Sequence, residues 1–191
     1  VPRWEPDAPQ RLERAAIELF AEHGYEATTV EQIAAAAGLN RSTFFRHFGD
    51  KREILFGGED GLAERLAQGV AQAPPELTAL QAVAAAFDDV AAVWFTSDRR
   101  DLAPRRIALV ASNPEFRERE LLKRRDISTA VAAALESRGV TARAAVVAAE
   151  LTTLTFGEAV ARWAEPTTTD EFARIARQVL REVHTAAVEL R

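Results

Sequence analysis

Apolar positions recur at three- and four-residue spacing along most of the chain, and no stretch alternates apolar and polar residues as a half-buried strand would. Leu12, Ala15, Ala16, Leu19 and Phe20 mark a first helix, capped by Asp7 with Gln10 three residues on and closed by Gly24. Val1 to Pro6 have no periodicity and hold two prolines, so they read as a mobile arm. Two short stripes come next, Val30, Ile33, Ala34 and Ala37, then Phe44 and Phe48, with Gly38 between them. A fourth helix is expected from Asp50 through Ile54, Leu55, Leu62, Leu66 and Val70, interrupted by Gly57, Gly58 and Gly61. Those glycines mark either a compliant segment or a place of close packing or bending. Beyond Pro74 and Pro75, apolar positions from Leu77 to Phe95 predict a helix ending near Ser97, and a shorter one is expected around Pro104 to Ser112. A long helix from Asn113 to Gly139 and two more, over 141–164 and 169–190, complete the pattern. The fold class is therefore all-α, with about nine helices.

The segment Thr28 to Lys51, TTVEQIAAAAGLNRSTFFRHFGDK, is the most informative. Thr28 or Thr29 caps its first helix, with Glu31 or Gln32 three residues on to complete a capping box. Gly38 ends that helix, being the residue best able to take a positive φ. Asn40 caps the second, where Leu39 and Phe44 have the spacing of a hydrophobic staple. With Phe44 and Phe48 turned inward, Arg41, Ser42, Thr43, Phe45, Arg46 and His47 remain for solvent. That face is rich in donors suited to base edges or phosphates, the pattern of a helix-turn-helix that reads DNA. Asp50 caps the fourth helix, with Glu53 at the third position of another capping box. Lys51 then sits in a first turn against the helix dipole, where local stability gives no reason for it.

Composition adds bounds. The chain has 191 residues, 48% of them hydrophobic and 28% charged, enough to bury a sizeable core. It has no cysteine, so neither a disulfide framework nor a thiolate metal site is expected. No uninterrupted apolar run of membrane-spanning length and no basic-then-apolar leader stands out, which makes a cytoplasmic location without membrane contact the expectation. A net charge of -5 argues against a wholesale nucleic-acid coat. Between Asn40 and Arg52, however, Arg41, Arg46, Lys51 and Arg52 face Asp50 alone, leaving a local positive footprint. The histidines His23, His47 and His184 are scattered, and no HExxH, P-loop, GxSxG or dinucleotide fingerprint occurs. Neither an enzyme nor a metal or cofactor site is expected.

The run AxxxGxxxxTFFRHFxxKxxI, preceded by TTVEQIA and by a capped amphipathic helix ending at Gly24, resembles the N-terminal signature of the TetR/AcrR family of bacterial transcriptional regulators. The TFFRHF wording resembles a subgroup with phenylalanine where the family usually has tyrosine. The resemblance implies Arg41, Ser42 and Thr43 at base edges and Thr29, Phe45, His47 and Lys51 at the phosphate backbone of a double-stranded operator. Phe45 lacks the hydroxyl that donates to a phosphate in the family, leaving it van der Waals contact or an inward turn. The implied domain organisation is a DNA-binding domain with its arm over 1–50, and an effector-binding and dimerisation domain over 51–191.

In such proteins the C-terminal domain holds a small, usually apolar molecule. The candidate lining here is Phe87, Trp94, Phe95, Phe116, Thr152, Thr153 and Phe156, with Asp88, Glu150 and His184 as polar contacts, although aromatic residues at helical spacing more often form core than pocket. Glu150, in the apolar run VVAAELTTLTF, must be paired, hydrated or facing a cavity, with a polar cavity and an interface salt bridge as equal readings. The last two helices carry near-heptad stripes, Val147, Leu151, Leu154 and Trp163 in one and Phe172, Ile175, Val179 and Val183 in the other. Intramolecular packing can absorb one such stripe; the family pairs both across a two-fold axis. The implied function is a homodimeric, ligand-responsive repressor released from a palindromic operator by a small hydrophobic effector. A DNA-bound scaffold whose C-terminal domain binds a protein instead is the alternative.

Overall fold

The computed structural model describes residues 8–56 and 61–190, which form ten α-helices, one of them a single turn, and a short 3-10 turn, with no strand among the described residues. The all-α expectation holds. The Asp7 cap, the Val1–Pro6 arm and the glycines 57 and 58 lie outside the described residues. The described residues pack as two compact units, one of residues up to 56 with 102–118 and the other of residues 61–101 with those from 119 onward. These are packing units, distinct from the functional division expected at residue 50.

In the first unit, α1 (Ala8–His23) presents Leu12, Ala15, Ala16, Ile17 and Phe20 to the core, all buried, while Leu19 is half-buried at its margin. α2 (Val30–Ala36) and α3 (Arg41–His47) close over it with Ile33, Ala34, Phe44 and Phe48. α7 (Ala103–Ser112) packs on α1, and the first turn of α8 (Pro114–Ser137) brings in Phe116. Phe116 meets Tyr25 edge-on at 4.8 Å and also Phe20 and Phe56, so it is a core residue of this unit.

The fourth helix does not begin at Asp50. A 3-10 turn, Glu53–Leu55, comes after Asp50, and α4 runs from Leu62 to Gln72 after Gly61, whose φ is +83°. Asp50 Oδ1 accepts the backbone N–H of Arg52 and Glu53, and Glu53 Oε2 reaches back to Gly49 N–H. Only half of the expected capping box forms, because Glu53 bonds Gly49 N–H and not Asp50 N–H, and the turn that follows is too short to continue. Gly61 in a left-handed conformation makes a new start for α4 rather than a mid-helix bend.

The second unit contains α4, α5 (Ala79–Trp94), the single-turn α6 (Ser97–Arg100), the rest of α8, α9 (Ala142–Trp163) and α10 (Phe172–Glu189). α5 starts in the capping box of Thr78 and Gln81. Gly69 of α4 lies so close to Ala86 of α5 that an added Cβ would stand 2.9 Å from the alanine methyl, which explains the glycine. Arg138 at the end of α8 donates to Val70 O, Ala73 O, Pro74 O and Leu77 O, satisfying the carbonyls where α4 stops.

α10 packs along α9 and α5, burying Phe172, Ile175, Ala176, Val179, Leu180 and Val183. By length and composition α9 could cross a membrane, with a mean hydropathy of 1.4 over 18 residues. Its interspersed Arg143, Glu150, Glu158 and Arg162 conceal this from a search for an uninterrupted apolar run. Its alanines, threonines, Phe156 and Trp163 supply much of the unit's interior, and interior helices pass the same test. Within that interior the Thr155 hydroxyl is buried without a hydrogen-bond partner among the described residues. Replacing it with the isosteric valine removes an unpaired polar group. Thr155→Val is expected to raise stability by about 1 kcal/mol in chemical denaturation.

Candidate nucleic-acid interface

The turn between α2 and α3 has closed hydrogen bonding. Thr29 Oγ1 accepts Gln32 N–H at 3.2 Å while Thr29 N–H donates to Gln32 Oε1 at 2.8 Å, the capping box expected from sequence. At the other end Gly38 N–H reaches Ala35 O and Leu39 N–H reaches Ala34 O, with Gly38 at φ +67°. This is a Schellman closure, and it hands the chain directly to Asn40. Asn40 Oδ1 accepts from Thr43 N–H, Thr43 Oγ1–H and Ser42 Oγ–H at 2.7 to 2.9 Å.

That arrangement corrects one expected base reader. Thr43 is buried, 8% exposed, and its hydroxyl is held by the cap, so it does not share the outward face. Arg41, Ser42, Phe45, Arg46 and His47 are exposed, as is Thr29. Arg41 Nε lies 2.9 Å from Glu31 Oε1 and its guanidinium stands over the Phe45 ring. Phe45 is 45% exposed, neither turned inward nor able to donate to a phosphate.

Lys51 has a structural occupation that sequence reasoning missed. Its Nζ donates to Tyr25 O at 2.6 Å and Thr28 O at 2.9 Å, and it sits 4.0 Å from the Tyr25 ring centre. The half-buried lysine thus ties the loop before α2 to the segment after α3. Contacts across 23 and 26 residues leave no local signal beyond the lysine's misfit with its own turn. The Tyr25 hydroxyl is pushed up to about 12, first by burial and then by the nearby carboxylates Glu115 and Asp50, so the ring stays neutral. Burial pushes Asp50 upward, yet Arg52 and the N–H groups of Glu53 and Arg52 hold its carboxyl below the usual range.

In the second unit the expected lining divides. Phe87, Phe95, Phe156, Trp163 and Phe172 form one aromatic cluster, with Phe95 stacked on Phe172 at 3.5 Å and edge-on to Phe156 and Trp163. Trp94 is half-buried. Phe116 is absent from this cluster because it packs in the other unit's core. Thr152 and Thr153 turn their hydroxyls to Ala148 O and Glu150 O of their own helix. Asp88 is exposed and paired with Arg177 at 2.7 Å, and His184 is exposed.

The expected dimer stripe is corrected by burial. Trp163, Phe172, Ile175, Val179 and Val183 are at most 8% exposed and pack inside the chain. Leu154 is exposed and Leu151 half-buried. These two join Glu150 and Thr153 in an open groove of about 860 Å³ between α8 and α9, with Leu121, Val146 and Val147 on its walls. Glu150 is exposed there and accepts Ser128 Oγ–H at 2.6 Å.

Residues 13–57 match the sequence model of the family described as bacterial regulatory proteins, tetR family. The chain is 42% identical over 77 residues to the HTH-type transcriptional regulator TcmR of Streptomyces glaucescens, covering 40% of this chain and 34% of that protein. It is 38% identical over 63 residues to the HTH-type transcriptional repressor AcnR of Corynebacterium efficiens, covering 33% of this chain and 34% of that one. These alignments span about a third of the relatives' length. The fold aligns with that of Thermus thermophilus FadR, a TetR-family repressor solved with lauroyl-CoA, at 26% identity and a TM-score of 0.51 over 92% of this chain and 93% of that one. The chain therefore carries a TetR-type helix-turn-helix segment within the fold of solved TetR-type regulators.

Two measurements test the interface. Tyr25 is the chain's sole tyrosine, so phenolate absorbance reports it alone; its midpoint is expected near pH 12, not the ordinary 10. The raised value sets the sign: the unfolded chain loses this proton first, so between pH 10 and about 12 the folded state loses stability, and Tyr25→Phe removes that contribution. Lys51→Ala frees two loop carbonyls and is expected to destabilise the chain by roughly 1–2 kcal/mol in urea denaturation.

Proposed function

We propose that this chain is a DNA-binding transcriptional regulator, a homodimeric repressor that leaves a palindromic operator when a small hydrophobic effector binds. The observation that carries the reading is the capped α2–turn–α3 unit, with Arg41, Ser42, Arg46 and His47 exposed on one short helix and residues 13–57 matching the tetR family. Arg41 and Ser42 are assigned to base edges. Thr29, Arg46, His47 and Lys51 are assigned to phosphates, Lys51 having to share its ammonium with the two carbonyls it already serves. The functional division at residue 50, membership of the TFFRHF subgroup and a cytoplasmic location belong to the same reading.

For the effector, the support is chemical. Among the described residues the Thr155 hydroxyl and the Trp163 indole N–H of α9 are buried without partners, the latter within the aromatic cluster. An apolar molecule carrying one or two acceptors answers that demand. The solved FadR relative holds an acyl-CoA, which points to the same chemical range. For the dimer, the surface on offer is the apolar face of α9 and α8, where Val146, Val147, Leu154, Leu121 and Leu122 are 45 to 64% exposed. An effector that prefers a conformer with recognition helices off the operator spacing lowers DNA affinity by that preference alone. The tight mutual packing of Phe95 on Phe172 favours the scaffold reading instead, since closely stacked rings leave an effector to separate them.

Selection from random duplexes by the purified chain decides between these readings. The expected product is a palindrome with half-sites one helical turn, about 34 Å, apart. Arg41→Ala is expected to relax preference at one position by about 1 to 3 kcal/mol, and Lys51→Ala to weaken all sequences alike with a shallower salt slope. A folded, dimeric chain that binds operator but no apolar small molecule supports the scaffold; failure to enrich any sequence removes the regulator reading.

A further inference from the structure

Arg41 is held from two sides before any DNA arrives. Its Nε lies 2.9 Å from Glu31 Oε1 on α2, and its guanidinium carbon stands 5.1 Å from the centre of the Phe45 ring on α3. The Phe45 ring is itself fixed edge-on against the fully buried Phe44, with centroids 5.3 Å apart and planes at 76°. An exposed phenylalanine on a polar face and a carboxylate beside a DNA-reading arginine both need a reason. Taken alone, Glu31 repels phosphates and the ring of Phe45 leaves apolar surface in water.

The chemistry of the guanidinium supplies that reason. Its five donors lie in one plane along distinct edges, and a carboxylate engaging Nε leaves the edge between the two terminal nitrogens able to donate in parallel. Parallel donation is what the O6 and N7 acceptors of guanine require. An arginine already fixed by a carboxylate and a ring loses less rotamer freedom when it meets a base than a free one does. A ring without a hydroxyl serves as a platform here as well as tyrosine would.

We propose that Glu31 and Phe45 are positioning residues that set sequence specificity by aiming Arg41: Phe45 is the platform and Glu31 the clamp on the Nε side. The proposal rests on α3 being the DNA-reading helix. It gives Phe45 a role different from the phosphate contact that the family resemblance implies. The negative charge of Glu31 thereby lowers affinity for arbitrary DNA while sharpening the choice among sequences.

Two experiments on the full chain test this. Without DNA, the Arg41 Nε–H signal in NMR is expected to exchange slowly in the wild type and rapidly in Glu31→Ala; identical exchange in both overturns the clamp. With DNA, competition between the selected operator and the same duplex altered at the Arg41 position gives a discrimination ratio. Glu31→Ala and Phe45→Ala are each expected to lower that ratio about threefold or more while other positions keep theirs, and Phe45→Tyr to preserve it. Affinity for random duplex is expected to rise in Glu31→Ala. In an Arg41→Ala background neither further change is expected to alter discrimination. An unchanged ratio, or an equal loss at every position, overturns the positioning role. If Arg41→Ala alone leaves the selected sequence intact, the fault lies with the recognition-helix reading and the specificity role falls with it, while the Nε–H exchange still reports whether the clamp forms.

Discussion

The turn at Gly38 is the constraint on which the exposed helix face depends. Its φ of +67° lies where a side chain is strained, and an added Cβ would come within 2.8 Å of Arg11 Nη2. That arginine donates to Ala37 O, the last carbonyl before the turn. Backbone conformation is therefore the constraint at this position, since the nearby atom is the movable end of the Arg11 side chain. Because the turn hands the chain at once to Asn40, whose single oxygen accepts three donors, the angle between α2 and α3 and the rotation of α3 are fixed together. Everything α3 presents to solvent, including the Arg41 guanidinium, depends on that rotation.

Long-range polar contacts then hold what local capping begins. Lys51 ties two carbonyls of the loop before α2 to the segment after α3, and Arg106 Nε donates to Leu55 O from α7. In the second unit Arg100 donates to Thr168 O and Asp170 O while its guanidinium stands over Trp163, fixing the α9–α10 connection. Arg138 does the same for the end of α4. In each case a side chain supplies donors to carbonyls that their own helix or loop leaves open.

The second unit separates two uses of an apolar stripe that look alike in sequence. The stripe on α10 is buried along α9 and α5, whereas α9 shows two faces, an interior of Ala145, Ala149, Phe156 and Ala159 and an exterior of Val146, Val147 and Leu154. Near-heptad spacing reports that a stripe is buried against something. It does not report whether the partner is the same chain.

The sequence by itself determined the helical class, most element boundaries and the helix-turn-helix. These rest on interactions within about four residues: Thr29 with Gln32, Asn40 with Thr43, Thr78 with Gln81, and Gly38 and Gly139 at helix ends. Only the tertiary structure decided that the helix expected from Asp50 gives way to a 3-10 turn, that Phe116 belongs to the core around Phe20, and that Lys51 serves loop carbonyls. It also decided that Phe172, Ile175, Val179 and Val183 meet their own chain. Local periodicity states that a side chain turns away from water; its partner lies tens of residues away, and only packing in three dimensions selects it.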